Sequence, residues 1–205
     1  MFNRRRAVVL AALLLVCSGP ARALELDSSL HEAVVSVPLA AGANPEALVA
    51  TLYRPDGDGP FPLLLLSHGS PADGAARARM GRYRVIPRIR EFTQRGFAVM
   101  VPMRRGYGET GGDWAERYGP CANPDFQAAG QAAAEDLLAS IAYARSLPYV
   151  DARRIVLLGQ SAGGFASIAA ASHALAEPER QFHPELRDTP RRYTAEIRCR
   201  SPREL

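Results

Sequence analysis

Four consecutive apolar residues, Ile155-Val156-Leu157-Leu158, run directly into Gly159-Gln160-Ser161-Ala162-Gly163-Gly164, and an alanine-rich stretch follows. No other segment of the 205-residue chain constrains it more. An unalternating apolar run suits a strand covered on both faces, as in a parallel sheet. G-x-S-x-G alone is weak, because a chain of this length meets it by chance roughly 7% of the time. Between a buried strand and a helix it becomes the strand–turn–helix that a nucleophile elbow needs. Such a turn lifts the serine hydroxyl off the sheet and points the next backbone N–H, that of Ala162, at a developing oxyanion. A phosphate-cradling loop is disfavoured, since neither G-x-G-x-x-G nor a following Lys-Ser/Thr is present.

The rest of the chain up to Ala171 repeats the alternation. Val34 to Val37, Ala47 to Tyr53, Leu63 to Leu66 and Phe97 to Val101 read as strands. Met80 to Arg95, stopped by Gly96, and Gln127 to Leu147 read as helices, the second with Leu137, Ile141 and Ala144 on one face. The expected class is α/β, with a mostly parallel sheet flanked by helices. Two further loops follow apolar strands: His68-Gly69-Ser70-Pro71 and Arg104-Arg105-Gly106-Tyr107-Gly108.

The formal charge of +4 has no bearing on the folded part. All 25 basic residues are arginine; four of them lie in the first 23 residues, which hold no acid. The remainder is balanced, so neither a nucleic-acid-binding stripe nor a membrane-adhesive surface is implied. Residues 1–23 read as a secretory signal: Arg4-Arg5-Arg6, an apolar run from Ala7 to Cys17, and Ala21-Arg22-Ala23 as cleavage site. The run is too short to span a bilayer, and no stable membrane anchor is expected. Lipidation at Cys17 is the alternative, against which Val16 before it counts. The mature chain is expected in the periplasm or outside the cell, beginning at Leu24. Cys121 and Cys199 could pair there, although the sequence gives no reason to commit to that bond. Neither a metal nor a cofactor is called for: no C-x-x-C and no His/Cys cluster occurs.

In that order, the His68–Pro71 loop, the Arg105-Gly106-Tyr107-Gly108 loop and Gly159–Gly164 resemble the α/β-hydrolase superfamily. The nearest flavour is its exported dienelactone-hydrolase-like and serine-peptidase-like branch. The resemblance covers about Leu48 to Ala171. It implies an α/β-hydrolase fold and a serine hydrolase cleaving an ester, lactone or amide through an acyl-Ser161 intermediate. The substrate is expected to be a small ester or a peptide-like molecule. Ser70 and Ala162 would supply the oxyanion-hole N–H groups. His68 would support its loop, or else act as a base. Arg105 and Tyr107, with His68, are candidates to border the substrate cleft, as are Trp114 and Tyr118; a glycine-rich turn with ordinary packing is the bland alternative.

The superfamily order is Ser, then acid, then His. After Ser161 come His173, His183 and Asp188. His173, 12 residues on along one helix, would lie about 18 Å away, whereas a base must come within about 3 Å. His183 precedes Asp188, and neither follows a strand. From Ser172 to Leu205 arginine, acids and proline dominate, and no valine follows Val156. The expected organisation is a signal over 1–23, a partial hydrolase domain over 24–171 that stops after the elbow helix, and an aberrant tail over 172–205. That tail would be disordered or the product of a lost reading frame. The expected function is a serine hydrolase that is inactive as written; the rival is a non-catalytic binding fragment.

Overall fold

The computed structural model describes residues 25–176, with side chains up to His173. The signal segment, His183, Asp188 and most of the expected tail lie outside the described residues. Five strands form one sheet: β1 (Ala33–Pro38), β2 (Ala47–Tyr53), β3 (Phe61–Ser67), β4 (Ala98–Pro102) and β5 (Val150–Gly159). Their spatial order is β1-β2-β4-β3-β5. β1 pairs with β2, and β2 with β4, antiparallel; β3 runs parallel to both β4 and β5. The helices are α1 (Gly74–Ala78), α2 (Ile86–Gln94), α3 (Phe126–Arg145) and α4 (Ala162–Ala176).

The leucine run of β3 shows why this class was legible. Leu63 and Leu65 point into a cluster with Leu48, Met100, Leu137 and Ala166, under α3 and α4. Leu64 and Leu66 point the other way, to Tyr53, Val99, Val101 and Ile89 of α2. A strand in the middle of such a sheet has no polar face, so alternation vanishes from its sequence. Gly130 on α3 lets the Phe165 ring of α4 in: a Cβ there would lie 2.9 Å from the ring edge.

Three expectations shift. The helix expected over Met80–Arg95 starts only at Ile86, because Pro87 in its first turn has no N–H to continue a ladder backward. Residues 80–85 are instead irregular and carry Arg82 and Arg84 to Glu32. The short α1, capped by the Asp73 side chain, had no periodicity to announce it. β5 extends back to Val150 through an irregularity in its pairing with β3 between Pro62 and Leu63. Its outer part is not buried: among the described residues β3 is its only neighbour, and Val156 is 45% exposed. α4 runs through Ala176, past the boundary expected at Ala171.

Glu32 ties the first strand to the rest. Its carboxylate, inaccessible to solvent, accepts from Arg82 at 2.8 Å, from Arg84 at 2.7 and 2.5 Å, from the Tyr53 hydroxyl and from the Asp27 N–H. Burial alone would raise its pKa, but Arg84, the Asp27 N–H, Arg82 and Tyr53 together bring it down to about 2. A depressed carboxylate contributes stability above its unfolded pKa near 4.5 and loses it as pH falls toward 2. Urea midpoints of the native chain should therefore drop between pH 5 and pH 2 by more than those of Glu32→Gln. Parallel curves for the two proteins would show that Glu32 is not the linked group.

Candidate active site

The turn after β5 is built by contact. Ser161 has φ of 53°, in the left-handed region that a non-glycine residue enters at a cost of about 1–3 kcal/mol. The neighbours leave little choice. A Cβ on Gly159 would fall 2.1 Å from the Gly163 carbonyl oxygen, and one on Gly163 would fall 2.2 Å from the Ser67 carbonyl oxygen. Both glycines are thus required by the close approach of the turn to itself and to the end of β3. The Gln160 N–H donates to the Ser67 carbonyl at 3.2 Å, which locks the turn to β3. The Gly164 and Phe165 N–H groups donate back to the Ser161 carbonyl and start α4. Ser161 is left exposed at the head of that helix.

The His68–Pro71 loop lies against this turn. A Cβ built on Gly69 would lie 3.6 Å from the Ser161 Cβ, so the two loops touch. Among the described residues, neither the Ser70 N–H nor the Ala162 N–H donates to a protein acceptor. The Ser161 hydroxyl likewise has no hydrogen-bond partner there.

His68 is fully buried. Its Nδ1 lies 2.7 Å from the Gly69 carbonyl, which can only accept, so the ring proton sits on Nδ1. Its Nε2 then accepts the Arg104 N–H at 3.2 Å. Burial, and after it the Arg104 charge, lowers its pKa from 6.5 to about 3. Both nitrogens are engaged within the loop framework, which favours the supporting role for His68 over a base. Tyr107 is also wholly buried, 4.6 Å from the His68 ring, and lies beneath the surface. Arg105 turns its guanidinium to α3, onto Asp136 at 2.6 Å, Glu135 and the Ala132 carbonyl. Of the three cleft candidates, none presents an open side chain beside Ser161.

Sequence reading passed over the residues that organise the loops. Arg104 is fully buried; its Nη1 donates to the Ser67 hydroxyl at 2.7 Å and the His68 carbonyl at 2.9 Å, and its other edge pairs with Glu116. Glu116 also accepts the Tyr107 hydroxyl, which in turn accepts the Trp114 indole N–H at 3.1 Å. The Tyr83 hydroxyl donates to the Gln160 side chain at 2.7 Å, next to Ser161. The described histidines place no base at Ser161. His31 pairs with Asp56 beside β1, the edge opposite β5, and His173 stands three turns along α4. No group of His, Cys, Asp and Glu suited to a metal occurs among the described residues.

Residues 84–176 match the model of the prolyl oligopeptidase family (Peptidase_S9). The chain is 32% identical over 124 residues to the quorum-quenching protein AidA of Acinetobacter baumannii (strain MDR-ZJ06), covering 60% of this chain and 35% of AidA. Among solved structures, a candidate dipeptidyl aminopeptidase IV from Bacteroides ovatus ATCC 8483 superposes with a TM-score of 0.53 at 19% identity. That match covers 70% of this chain and 19% of the other. The chain thus spans about a third of the length of the curated relative it matches.

His68 should hold one proton on Nδ1 throughout neutral pH. Its imidazole resonances should stay flat from pH 8 to pH 5 in a nitrogen-15 NMR titration. A midpoint near 7 would make it a candidate base after all.

Proposed function

We infer that Ser161 is the nucleophile of an ester- or amide-cleaving site, a reading supported by the match of residues 84–176 to the prolyl oligopeptidase family model. The observation that carries this reading is the strained turn: Ser161 at φ 53° between β5 and α4, with Gly69 against it and with the N–H groups of Ser70 and Ala162 bonded to no acceptor among the described residues. A serine forced into that conformation with nothing bonded to its hydroxyl is arranged for something other than stability. In the proposed reaction the substrate carbonyl carbon bonds to the Ser161 oxygen. Its oxygen becomes an anion held by the Ser70 and Ala162 N–H groups, and removing such a donor typically costs about 10²–10³ in turnover. The Ser161 proton passes by way of solvent water to the leaving alcohol or amine as that bond breaks, and a second water releases the acid and restores the Ser161 hydroxyl.

The hydroxyl proton needs an acceptor, and none of the described residues supplies one. We therefore assign the 205-residue chain a binding and oxyanion-stabilising site whose turnover is weak. Loss of triad function removes up to about 10⁶ in rate. The substrate class is a small ester or a peptide-like amide. Export is part of the same proposal, with processing at Ala23. No helix among the described residues is long and apolar enough to cross a membrane.

A fluorophosphonate probe separates the readings. It should label the chain slowly, at Ser161 alone, and Ser161→Ala should abolish labelling while leaving the slow hydrolysis of an activated ester almost unchanged. Complete absence of labelling would favour the non-catalytic binding fragment. Turnover that Ser161→Ala abolishes would reveal a base reaching Ser161 from elsewhere in the chain.

For export, intact mass of the periplasmic or secreted protein should show Leu24 as its first residue. A lipid-modified Cys17 would overturn that assignment.

A further inference from the structure

A groove of about 660 Å³ opens between α1 and the loop over residues 106–121, and Ser161 does not line it. That volume suits a small organic ligand. Its wall includes Arg77, Trp114 and Tyr118, with Arg117 and Asp113 exposed at its rim. Arg77 is fixed in an unusual way. Its guanidinium stacks on the Trp114 ring, 3.8 Å from the centroid. Both hydrogens of its Nη1 are engaged, by the Pro71 carbonyl at 3.1 Å and the Ala72 carbonyl at 2.8 Å. The free edge is therefore Nε–Nη2, and Nη2 lies over Gly74, which also lines the groove. Two parallel N–H groups on a pinned guanidinium are a fork for one carboxylate. Among the described residues no carboxylate occupies that fork: neither Arg77 nor Arg117 forms an ion pair. Fixing the cation in advance removes much of the ordering entropy that a flexible arginine loses on binding.

We propose that this groove is a carboxylate-binding site in which Arg77 grips the anion, Tyr118 packs on an apolar body and Arg117 adds charge at the mouth. Resting on the Ser161 reading, this makes the substrate an ester or amide that carries a free carboxylate. The carbonyls that pin Arg77 belong to the two residues directly after Ser70, so the fork of the groove is anchored to the proposed oxyanion loop. Trp114 is the sole tryptophan of the protein and reports on the groove directly.

The test titrates the full chain with N-acetylphenylalanine and, separately, with its uncharged amide, reading Trp114 fluorescence. The carboxylate should bind at least about tenfold tighter than the amide, since hydrogen bonds to a charged group are roughly twice as strong as neutral ones. The preference should vanish in Arg77→Gln, weaken in Arg77→Lys, and fall a few-fold in Arg117→Gln, whose exposed side chain leaves the fold intact. Far-UV circular dichroism verifies folding of each variant; should Arg77→Gln unfold, Arg117→Gln and the salt dependence of the native chain decide. Equal binding of acid and amide, no binding of either, or a preference that survives Arg77→Gln or is indifferent to both Arg117→Gln and salt overturns the proposal. Carboxylate binding is read here without any hydrolysis, whereas the nucleophile reading is read by fluorophosphonate labelling, so failure of the one is distinct from failure of the other.

Discussion

Arg104 carries a full positive charge with no access to water, and the two loops at the ends of β3 and β4 are bonded to it. It binds the β3 end through the Ser67 hydroxyl and the His68 carbonyl, and the later loop through Glu116. Its backbone N–H fixes the tautomer of His68, whose other nitrogen holds the Gly69 carbonyl. Gly69 in turn packs on Ser161. A buried ion pair of this kind is a poor source of net stability, but removing one partner strands the other at a cost of about 3–5 kcal/mol. What it supplies is position: the loops cannot move independently while the guanidinium needs both.

The sheet sets where those loops meet. β3 and β5 are parallel neighbours, so their carboxyl ends, Ser67 and Gly159, lie side by side. The turn after β5 must fold tightly on itself and against the end of β3 within distances that admit no side chain, hence glycine at 159 and at 163 respectively. The same topology leaves β5 with one neighbour among the described residues and Val156 and Ile168 exposed. An apolar strand edge of that kind is a template for further pairing.

Much of this was legible from residue pattern. The Leu63–Leu66 run announced a strand covered twice, and Ile155–Leu158 before G-x-S-x-G announced the turn, because both signals are local. The helix expected over Met80–Arg95 starts only at Ile86, with Pro87 in its first turn, and Arg82 and Arg84 before it pair with Glu32, some 50 residues earlier. Arg104 read as one polar loop residue among several, since burial of a charge is invisible until its partner is known. The resemblance makes His68, Arg105 and Tyr107 candidates to border one cleft, whereas each side chain faces a different neighbour.

The amino-acid sequence by itself determined the strand–turn–helix at Ser161 and the α/β class. These follow from backbone sterics, hydrophobic period and residue inventory, which need no coordinates. Only the tertiary structure decided which charges are buried together, which histidine nitrogen carries the proton, and that Arg77 is pinned over Trp114 with one edge free. Those outcomes depend on groups far apart in the chain meeting at hydrogen-bond distance. The energy of such a meeting is set by desolvation and geometry, neither of which any single segment contains.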